Sequence, residues 1–137
     1  MSAIAKVMLE DGYDITGSDL EPSSLAWSLA ERGATIFKGH SAENLGGPCL
    51  VVTSSAVPID NPEICEAQRR GIPVIKRSEM LGRLMAERFG IAVAGTHGKT
   101  TTSSLVGVIL EQAGLDPTIL VGGEMADLGT NAKSGAG

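Results

Sequence analysis

The sequence predicts an α/β fold in which helices cover both faces of a parallel β-sheet. Short apolar runs alternate with segments of helical periodicity, and the connections between them are short. Right-handed crossovers between parallel strands then place the helices against the sheet. In addition, a glycine-containing turn at residues 95–98 separates an apolar run from a helical segment, an order typical of nucleotide-binding folds.

Helix and strand alternate from the first residues onward. Ile4, Val7 and Met8 recur at helical spacing before Gly12, which predicts a helix over the first dozen residues. The following segments are predicted next: a strand over 13–17, a helix over 24–32, a strand over 34–37, a turn or helix over 41–45 and a strand over 50–53.

The second half continues the alternation. Pro62 suits the first position of a helix that runs to about Arg70 and ends at Gly71, and Ser78 is the predicted cap of a helix that runs to about Arg88. Further elements are predicted as a strand over 73–75, a strand over 91–93, a helix over 103–113 capped by Gly114, and a strand over 117–121 before a glycine-rich, polar tail. A domain boundary is inferred near residue 89, where a new phosphate-binding unit begins.

Length and composition limit the possible functions. A chain of 137 residues with 42% hydrophobic residues can bury one modest core, or parts of two. The net charge of −5 and the lack of a basic stripe argue against a nucleic-acid partner. Without an apolar run of membrane-spanning length or a signal-peptide pattern, we expect a cytoplasmic protein with no membrane partner.

The two cysteines predict neither a disulfide nor a metal site. Cys49 begins an apolar strand and Cys65 lies in a predicted helix, so both are expected to be buried or half-buried thiols in a reducing compartment. A pair of distant cysteines without a nearby histidine pair lacks the spacing of a metal-binding motif.

Residues 94–102, Ala-Gly-Thr-His-Gly-Lys-Thr-Thr-Thr, have the features of a phosphate-binding loop. Gly95 and Gly98 allow the backbone to approach an anion, and the amides at the start of the next helix point toward it. Lys99 supplies a mobile cation for the terminal phosphates, and the Thr100 hydroxyl is placed to bind Mg²⁺. The common pattern has glycine where Val93 stands. The alternative interpretation is a turn and helix start with a surface lysine.

Polar residues follow the predicted strands at the edge where ligands bind parallel sheets. They are Ser18 and Asp19, His40, and Ser54 with Ser55. Asp19 is either a ribose ligand or a turn residue that caps the next helix, and His40 is either a ligand or an exposed loop histidine. Ser54 and Ser55 are either ligands or turn formers before Pro58.

Together these segments resemble the Mur ligases of peptidoglycan synthesis. The resemblance extends over nearly the whole chain, and it is greatest for the branch that adds L-alanine, although the phosphate loop is shared with sibling ligases, including the one that recycles murein tripeptide. The segments that carry it are 17–19, 39–44, 54–56, 61–63, 71–74, 77–81, 94–102 and 129–132.

The resemblance implies two incomplete domains and a reaction. Residues 1–88 would be a Rossmann-like domain that binds UDP-N-acetylmuramate, and residues 89–137 would begin a P-loop-type central domain that binds ATP and Mg²⁺. ATP would activate the muramoyl carboxylate as an acyl phosphate, which the amine of L-alanine attacks. The implied sugar-nucleotide ligands are Ser18, Asp19, His40, Ser54, Ser55 and Ala56, and the implied ATP ligands are Gly95, Thr96, His97, Gly98, Lys99, Thr100 and Thr101.

Within the ATP loop, the resemblance implies separate roles for three side chains. Lys99 would clamp the γ-phosphate, Thr100 would be the Mg²⁺ ligand, and His97 would lie near the transferring group, so that Lys99 and His97 are the candidate catalytic residues. These roles suit phosphoryl transfer, which needs positioning and cations more than a side-chain nucleophile.

The chain also departs from the family pattern at both ends. The glycine-rich loop and first strand expected before residue 1, and the family residues expected after Gly137, are not in the sequence. We therefore expect no alanine-dependent phosphate release, and marginal stability or aggregation from unpaired sheet edges unless another chain covers them. A non-catalytic nucleotide-binding module and a product without any ligand remain alternatives, and the oligomeric state stays open.

Overall fold

The structure is a computed structural model, and it describes residues 1–86, 88–125 and 130–137. Its helices and strands alternate along the chain. The helices are α1 (Ser2–Glu10), α2 (Ser24–Glu31), α3 (Pro62–Arg69), α4 (Arg77–Ala86) and α5 (Lys99–Gln112), with a 3-10 helix over Ala42–Leu45. The strands are β1 (Thr16–Asp19), β2 (Thr35–Lys38), β3 (Val51–Thr53), β4 (Val74–Lys76), β5 (Ile119–Met125) and β6 (Thr130–Lys133).

The chain divides into two compact units. The first comprises Met1 and residues 14–84, and the second comprises residues 2–13 and 85–137. The division therefore falls between Leu84 and Met85, close to the predicted boundary, while α1 belongs with the second unit. The assignment of a sugar-nucleotide domain to residues 1–88 and of an ATP-binding domain to residues 89–137 stays a prediction.

The first unit is built on parallel strand pairs. Thr16 in β1 lies opposite Thr35 in β2, and Val51 in β3 lies opposite Val74 in β4. The predicted parallel pairing is thus confirmed, but the described strands of this unit form separate two-stranded sheets rather than one continuous sheet. Helices connect the strands within each pair, as crossovers between parallel strands require.

Capping residues determine where the helices of the first unit begin. The Ser23 hydroxyl accepts a hydrogen bond from the Ala26 amide at 3.3 Å, so Ser23 is the N-cap of α2. The Asn61 side chain accepts one from the Glu63 amide at 2.9 Å, and Pro62 occupies the first helical position of α3 as predicted. This cap fixes the first turn of α3 and, with it, the position of Glu63.

The second unit combines α1 and α5 with an antiparallel hairpin. Ile119 in β5 lies opposite Lys133 in β6. Val7 of α1 is fully buried and packs with Ala3 and with Ala132 of β6. Across the same contact, the Lys6 ammonium donates a hydrogen bond to the Ala132 carbonyl at 2.8 Å. The core of this unit therefore lies where α1 covers the hairpin.

Several expectations for individual elements were wrong. Residues 91–93 are not a strand, because no strand of the described chain pairs with them. Ser78 is not a cap, since α4 begins at Arg77 directly after β4. The first strand begins at Thr16 rather than at residue 13, and Tyr13 is 57% exposed.

The cysteine expectation was also wrong. Cys49 and Cys65 are both exposed free thiols. Cys49 precedes β3, and the buried face of α3 is formed by Ile64 and Ala67 instead of Cys65. Two predicted features extend beyond the described residues, since the helix predicted to about Arg88 includes residue 87 and the family segment 129–132 includes Gly129.

An ion pair on α3 predicts part of the acid sensitivity of the fold. Hydrogen bonds from Arg69 and then Arg70 lower the pKa of Glu66 to about 2 from an ordinary value of 4.5. Because the folded pKa is the lower one, the stabilisation is complete above pH 4.5 and is lost as the pH falls toward about 2. Unfolding curves across this range should show a smaller loss of stability for Glu66→Gln than for the parent chain.

The control for this measurement is Glu79→Gln on α4. Glu79 pairs with Arg83 at 2.8 Å, and both side chains are about half exposed. This variant should keep the pH dependence of the parent chain, because exposed pairs contribute little. Equal acid sensitivity in the parent chain and in Glu66→Gln would contradict the role assigned to Glu66.

Candidate functional site

A cavity of about 180 Å³ lies in the first unit beside β1 and β3. Three of the predicted sugar-nucleotide ligands line it, namely Ser18, His40 and Ser54. Apolar and polar residues contribute about equally to the wall of the cavity. The other lining residues are Thr16, Gly17, Phe37, Asn44, Leu45, Pro48, Leu50, Val51, Val52, Thr53, Val57, Asn61, Glu63 and Ile64.

Ser18, His40 and Glu63 form a hydrogen-bonded cluster on the wall of this cavity. Ser18 Oγ lies 2.9 Å from His40 Nδ1 and 2.8 Å from Glu63 Oε2. His40 Nδ1 also lies 3.6 Å from Glu63 Oε1. The three residue types are those of a hydrolase triad, but here the serine lies between the histidine and the carboxylate. A nucleophilic serine would instead donate its proton to the histidine.

Glu63 is held from its other side as well. Its Oε1 accepts hydrogen bonds from the Ser41 amide at 3.3 Å and from Asn44 Nδ2 at 3.2 Å. Asn44 Nδ2 also donates to the Gly39 carbonyl at 3.1 Å, which ties this side chain to the loop that carries His40. Sequence reasoning did not select Glu63 or Asn44 as site residues, and only their presence in the family-like segments pointed to them.

The remaining sugar-nucleotide candidates lie outside the cavity lining. Asp19 is exposed, and its Oδ1 accepts a hydrogen bond from the Glu21 amide at 3.0 Å, so it forms a local turn. It does not cap the next helix, as the alternative interpretation expected, because Ser23 is the N-cap of α2. Ser55 and Ala56 are exposed. Ser54 lines the cavity and also forms the turn, because its hydroxyl accepts from the Ala56 amide at 3.3 Å.

The phosphate-loop residues form a turn that leads directly into α5. Gly98 is the N-cap with φ of 78°, a left-handed conformation that favours glycine, and no side chain caps the helix start. The Lys99 ammonium donates hydrogen bonds to the carbonyls of Gly95 and Thr96, the second at 3.1 Å. Residues 94–102 are exposed, so the amides of the first helical turn are open to a ligand. Binding of ATP there stays a prediction.

The described residues contain neither a clustered metal site nor a membrane-spanning helix. Among residues 1–86, 88–125 and 130–137, no group of three or more His, Cys, Asp or Glu side chains is placed to hold a metal ion. No helix in these same ranges has the length and apolar character needed to cross a membrane.

Comparison with known proteins decides the family. The model of the Mur ligase family catalytic domain matches residues 1–89, which is more than half of the chain. The chain belongs to the Mur ligase family. Its α/β architecture agrees with this family. The structure of UDP-N-acetylmuramate–alanine ligase from Thermotoga maritima superposes on the chain with a TM-score of 0.93 at 35% identity. That match covers 100% of this Mur ligase chain and 33% of the Thermotoga chain, and it confirms the predicted fold class.

Curated relatives match this Mur ligase chain over its full length. The proteins named UDP-N-acetylmuramate–L-alanine ligase from Syntrophotalea carbinolica and Aquifex aeolicus are 55% and 54% identical over 137 residues. The chain spans about 30% of the length of each. A murein peptide ligase from Psychrobacter arcticus is structurally similar as well, with a TM-score of 0.84 at 30% identity over 99% of this chain and 31% of that one.

Proposed function

We propose that this chain is part of an ATP-dependent ligase that joins L-alanine to UDP-N-acetylmuramate in peptidoglycan synthesis. The observation that carries the proposal is the shared cavity of Ser18, His40 and Ser54, three of the residues that the family resemblance assigns to the sugar nucleotide. The identity of 52–56% over the whole of this chain, which matches about 30% of relatives named as alanine ligases, supports the choice of acceptor.

The cavity suits one part of the sugar nucleotide. Its volume of about 180 Å³ is below the roughly 300–1,000 Å³ of pockets that enclose whole ligands. Polar side chains set among apolar ones are the usual means of orienting a bound group. We therefore propose that Ser18, His40 and Ser54 bind and orient one polar part of UDP-N-acetylmuramate. The rest of the ligand would lie outside the cavity.

The loop before α5 is the proposed site of Mg-ATP. Uncapped amides at the start of a 14-residue helix attract phosphate oxygens, and Gly98 has no side chain to compete with them. Lys99 would leave the loop carbonyls for the γ-phosphate, Thr100 would bind Mg²⁺, and His97 would line the site near the transferring group. Mg-ATP, when bound, supplies the phosphoryl group that activates the muramoyl carboxylate for attack by the amine of L-alanine. The proposed location of this reaction is the cytoplasm.

Two other functions are less well supported. The murein-peptide-recycling ligase is favoured by structural similarity, but two structurally similar ligases of that kind are only 26% and 30% identical to this chain. A non-catalytic module that binds a dinucleotide would need Asp19 as a ribose ligand, and one oxygen of that carboxylate already accepts a hydrogen bond from the Glu21 amide.

Calorimetric titration with UDP-N-acetylmuramate tests the proposed function. Ser54→Ala should weaken binding by on the order of tenfold, because a ligand group in the cavity loses a hydrogen-bond partner. The control is Ser28→Ala, since Ser28 lies on α2 outside the cavity lining and its hydroxyl donates to the Leu25 carbonyl of the same helix. Tight NAD binding that depends on Asp19 would contradict the proposal and favour the dinucleotide module.

A further inference from the structure

The Ser18, His40 and Glu63 cluster determines which ring nitrogen of His40 carries the proton. We propose that Glu63 is a positioning residue that fixes His40 in the Nδ1–H tautomer. The other ring nitrogen, Nε2, then offers a lone pair to a hydrogen-bond donor of the bound sugar nucleotide. The identity of the ligand rests on the proposed function, whereas the tautomer follows from the contacts alone.

The single proton of the Ser18 hydroxyl is the basis of the inference. Ser18 Oγ lies 2.8 Å from Glu63 Oε2 and 2.9 Å from His40 Nδ1, so it bonds both neighbours. A carboxylate only accepts hydrogen bonds, and a bond to a charged acceptor is the stronger one. The hydroxyl therefore donates to Glu63. Its oxygen can then only accept from His40, so Nδ1 must carry a proton.

The contacts of Glu63 prevent the hydrogen bonds of the cluster from reversing their direction. Oε1 faces two N–H donors, the Ser41 amide at 3.3 Å and Asn44 Nδ2 at 3.2 Å. These donors keep the carboxylate oriented with Oε2 toward Ser18. The direction of the hydrogen bonds thus runs from His40 to Ser18 to Glu63, and it is set by the only member of the three that cannot donate.

The tautomer selects the class of ligand group that His40 recognises. Neutral imidazole has one donor and one acceptor nitrogen, and the bond made by one nitrogen decides the role of the other. With Nδ1 donating to Ser18, Nε2 accepts. His40 lines the cavity, so it would bind a hydroxyl or an imide N–H of the nucleoside or sugar rather than a phosphate oxygen, which needs a donor.

The substitution Glu63→Gln should reverse the hydrogen bonds of Ser18 and move the imidazole proton of His40 from Nδ1 to Nε2. The two donors at Oε1 require an oxygen at that position, so the glutamine carbonyl takes it and the NH₂ group faces Ser18. Ser18 then accepts from the amide and donates its proton to His40 Nδ1. The imidazole proton must move to Nε2, although the side chain has almost the same size and shape.

Nitrogen-15 NMR of the full chain with labelled histidine tests the proposal. The sequence has two histidines, His40 and His97, and the His40→Gln variant assigns their signals. Long-range proton–nitrogen spectra of both imidazole rings are recorded at mildly alkaline pH. We expect the parent chain to show a protonated Nδ1 and an unprotonated Nε2 in His40. In Glu63→Gln we expect a protonated Nε2 and an unprotonated Nδ1. Glu79→Gln, which breaks an exposed ion pair with Arg83, should leave the His40 pattern unchanged.

Two results would overturn the proposal. The first is a parent chain with the proton of His40 on Nε2, which decides the matter even if Glu63→Gln fails to fold. The second is a Glu63→Gln variant with the circular dichroism of the parent chain and the proton still on Nδ1. If Glu63 had a purely structural role, the proton of His40 would stay on the same ring nitrogen in a folded variant.

Measuring the affinity for UDP-N-acetylmuramate distinguishes a failure of this inference from a failure of the proposed function. If the tautomers behave as expected, Glu63→Gln should weaken binding by on the order of tenfold, since Nε2 becomes a donor facing a donor. Unchanged affinity would overturn the assignment of Nε2 to a ligand donor. Absence of binding by the parent chain would instead contradict the proposed function, while the tautomer measurement would still stand.

Discussion

Lys99→Ala is expected to weaken Mg-ATP binding by on the order of 10- to 100-fold, because hydrogen bonds to charged groups contribute about 1.5–3 kcal/mol. The ammonium lies within the turn that precedes α5, on the carbonyls of Gly95 and Thr96. Its removal takes away both the cation for the terminal phosphates and a contact that holds the loop. Calorimetric titration of the parent and variant chains with Mg-ATP measures the loss.

Two further variants make this measurement specific. Lys99→Arg keeps a positive charge and should retain part of the affinity. Lys38→Ala removes an exposed lysine of the first unit and should bind Mg-ATP as the parent chain does. If Lys99→Ala and the parent chain bound Mg-ATP equally, residues 95–101 would be a turn with a surface lysine, which is the alternative that the sequence left open.

The elements that could be predicted from the sequence are those with local determinants. The Asn61 cap, the first-turn Pro62 and the following Gly71 together define α3 to within about a residue, because capping and glycine conformations depend on near neighbours. The turn into α5 was predicted for the same reason. Parallel pairing was also predictable, since short alternating elements leave few other topologies.

Strand pairing that depends on distant residues could not be predicted in the same way. The run at residues 91–93 has the composition of a strand but no neighbouring strand in the described chain. Conversely, β6 has the sequence Thr-Asn-Ala-Lys, which lacks a clear apolar alternation. It becomes a strand because β5 pairs with it and α1 covers Ala132. Composition was a weaker guide than the available partner.

In the candidate site, too, some residues could be predicted from local sequence and others depend on distant contacts. Ser18 lies near the end of β1 and His40 follows β2, so their location at one edge could be inferred from the topology. Glu63 follows no strand, and it meets Ser18 across 45 residues of sequence only because the first turn of α3 is directed toward the cavity. The spacing of these residues contains no motif. The contact arises from packing, which is why the carboxylate was not selected.

Gly107→Val is expected to lower the free energy of unfolding by about 1–3 kcal/mol, the usual cost of overpacking a core. Gly107 is buried on α5, and a Cβ atom there would lie 2.8 Å from Ile119 Cδ1 and 3.2 Å from Ile119 Cγ2. The valine methyl groups extend further into the same space. Ile119 is 5% exposed and sits in β5, so it has little room to move away. Urea unfolding followed by circular dichroism measures the change.

Thr102→Val provides the matched control for this prediction. It places the same side chain on the same helix at an exposed position, and exposed substitutions usually change stability by less than about 0.5 kcal/mol. If both variants had the stability of the parent chain, α5 would not pack closely on β5 in solution. A loss confined to Gly107→Val would establish that the helix following the proposed phosphate loop is held against the hairpin through this glycine.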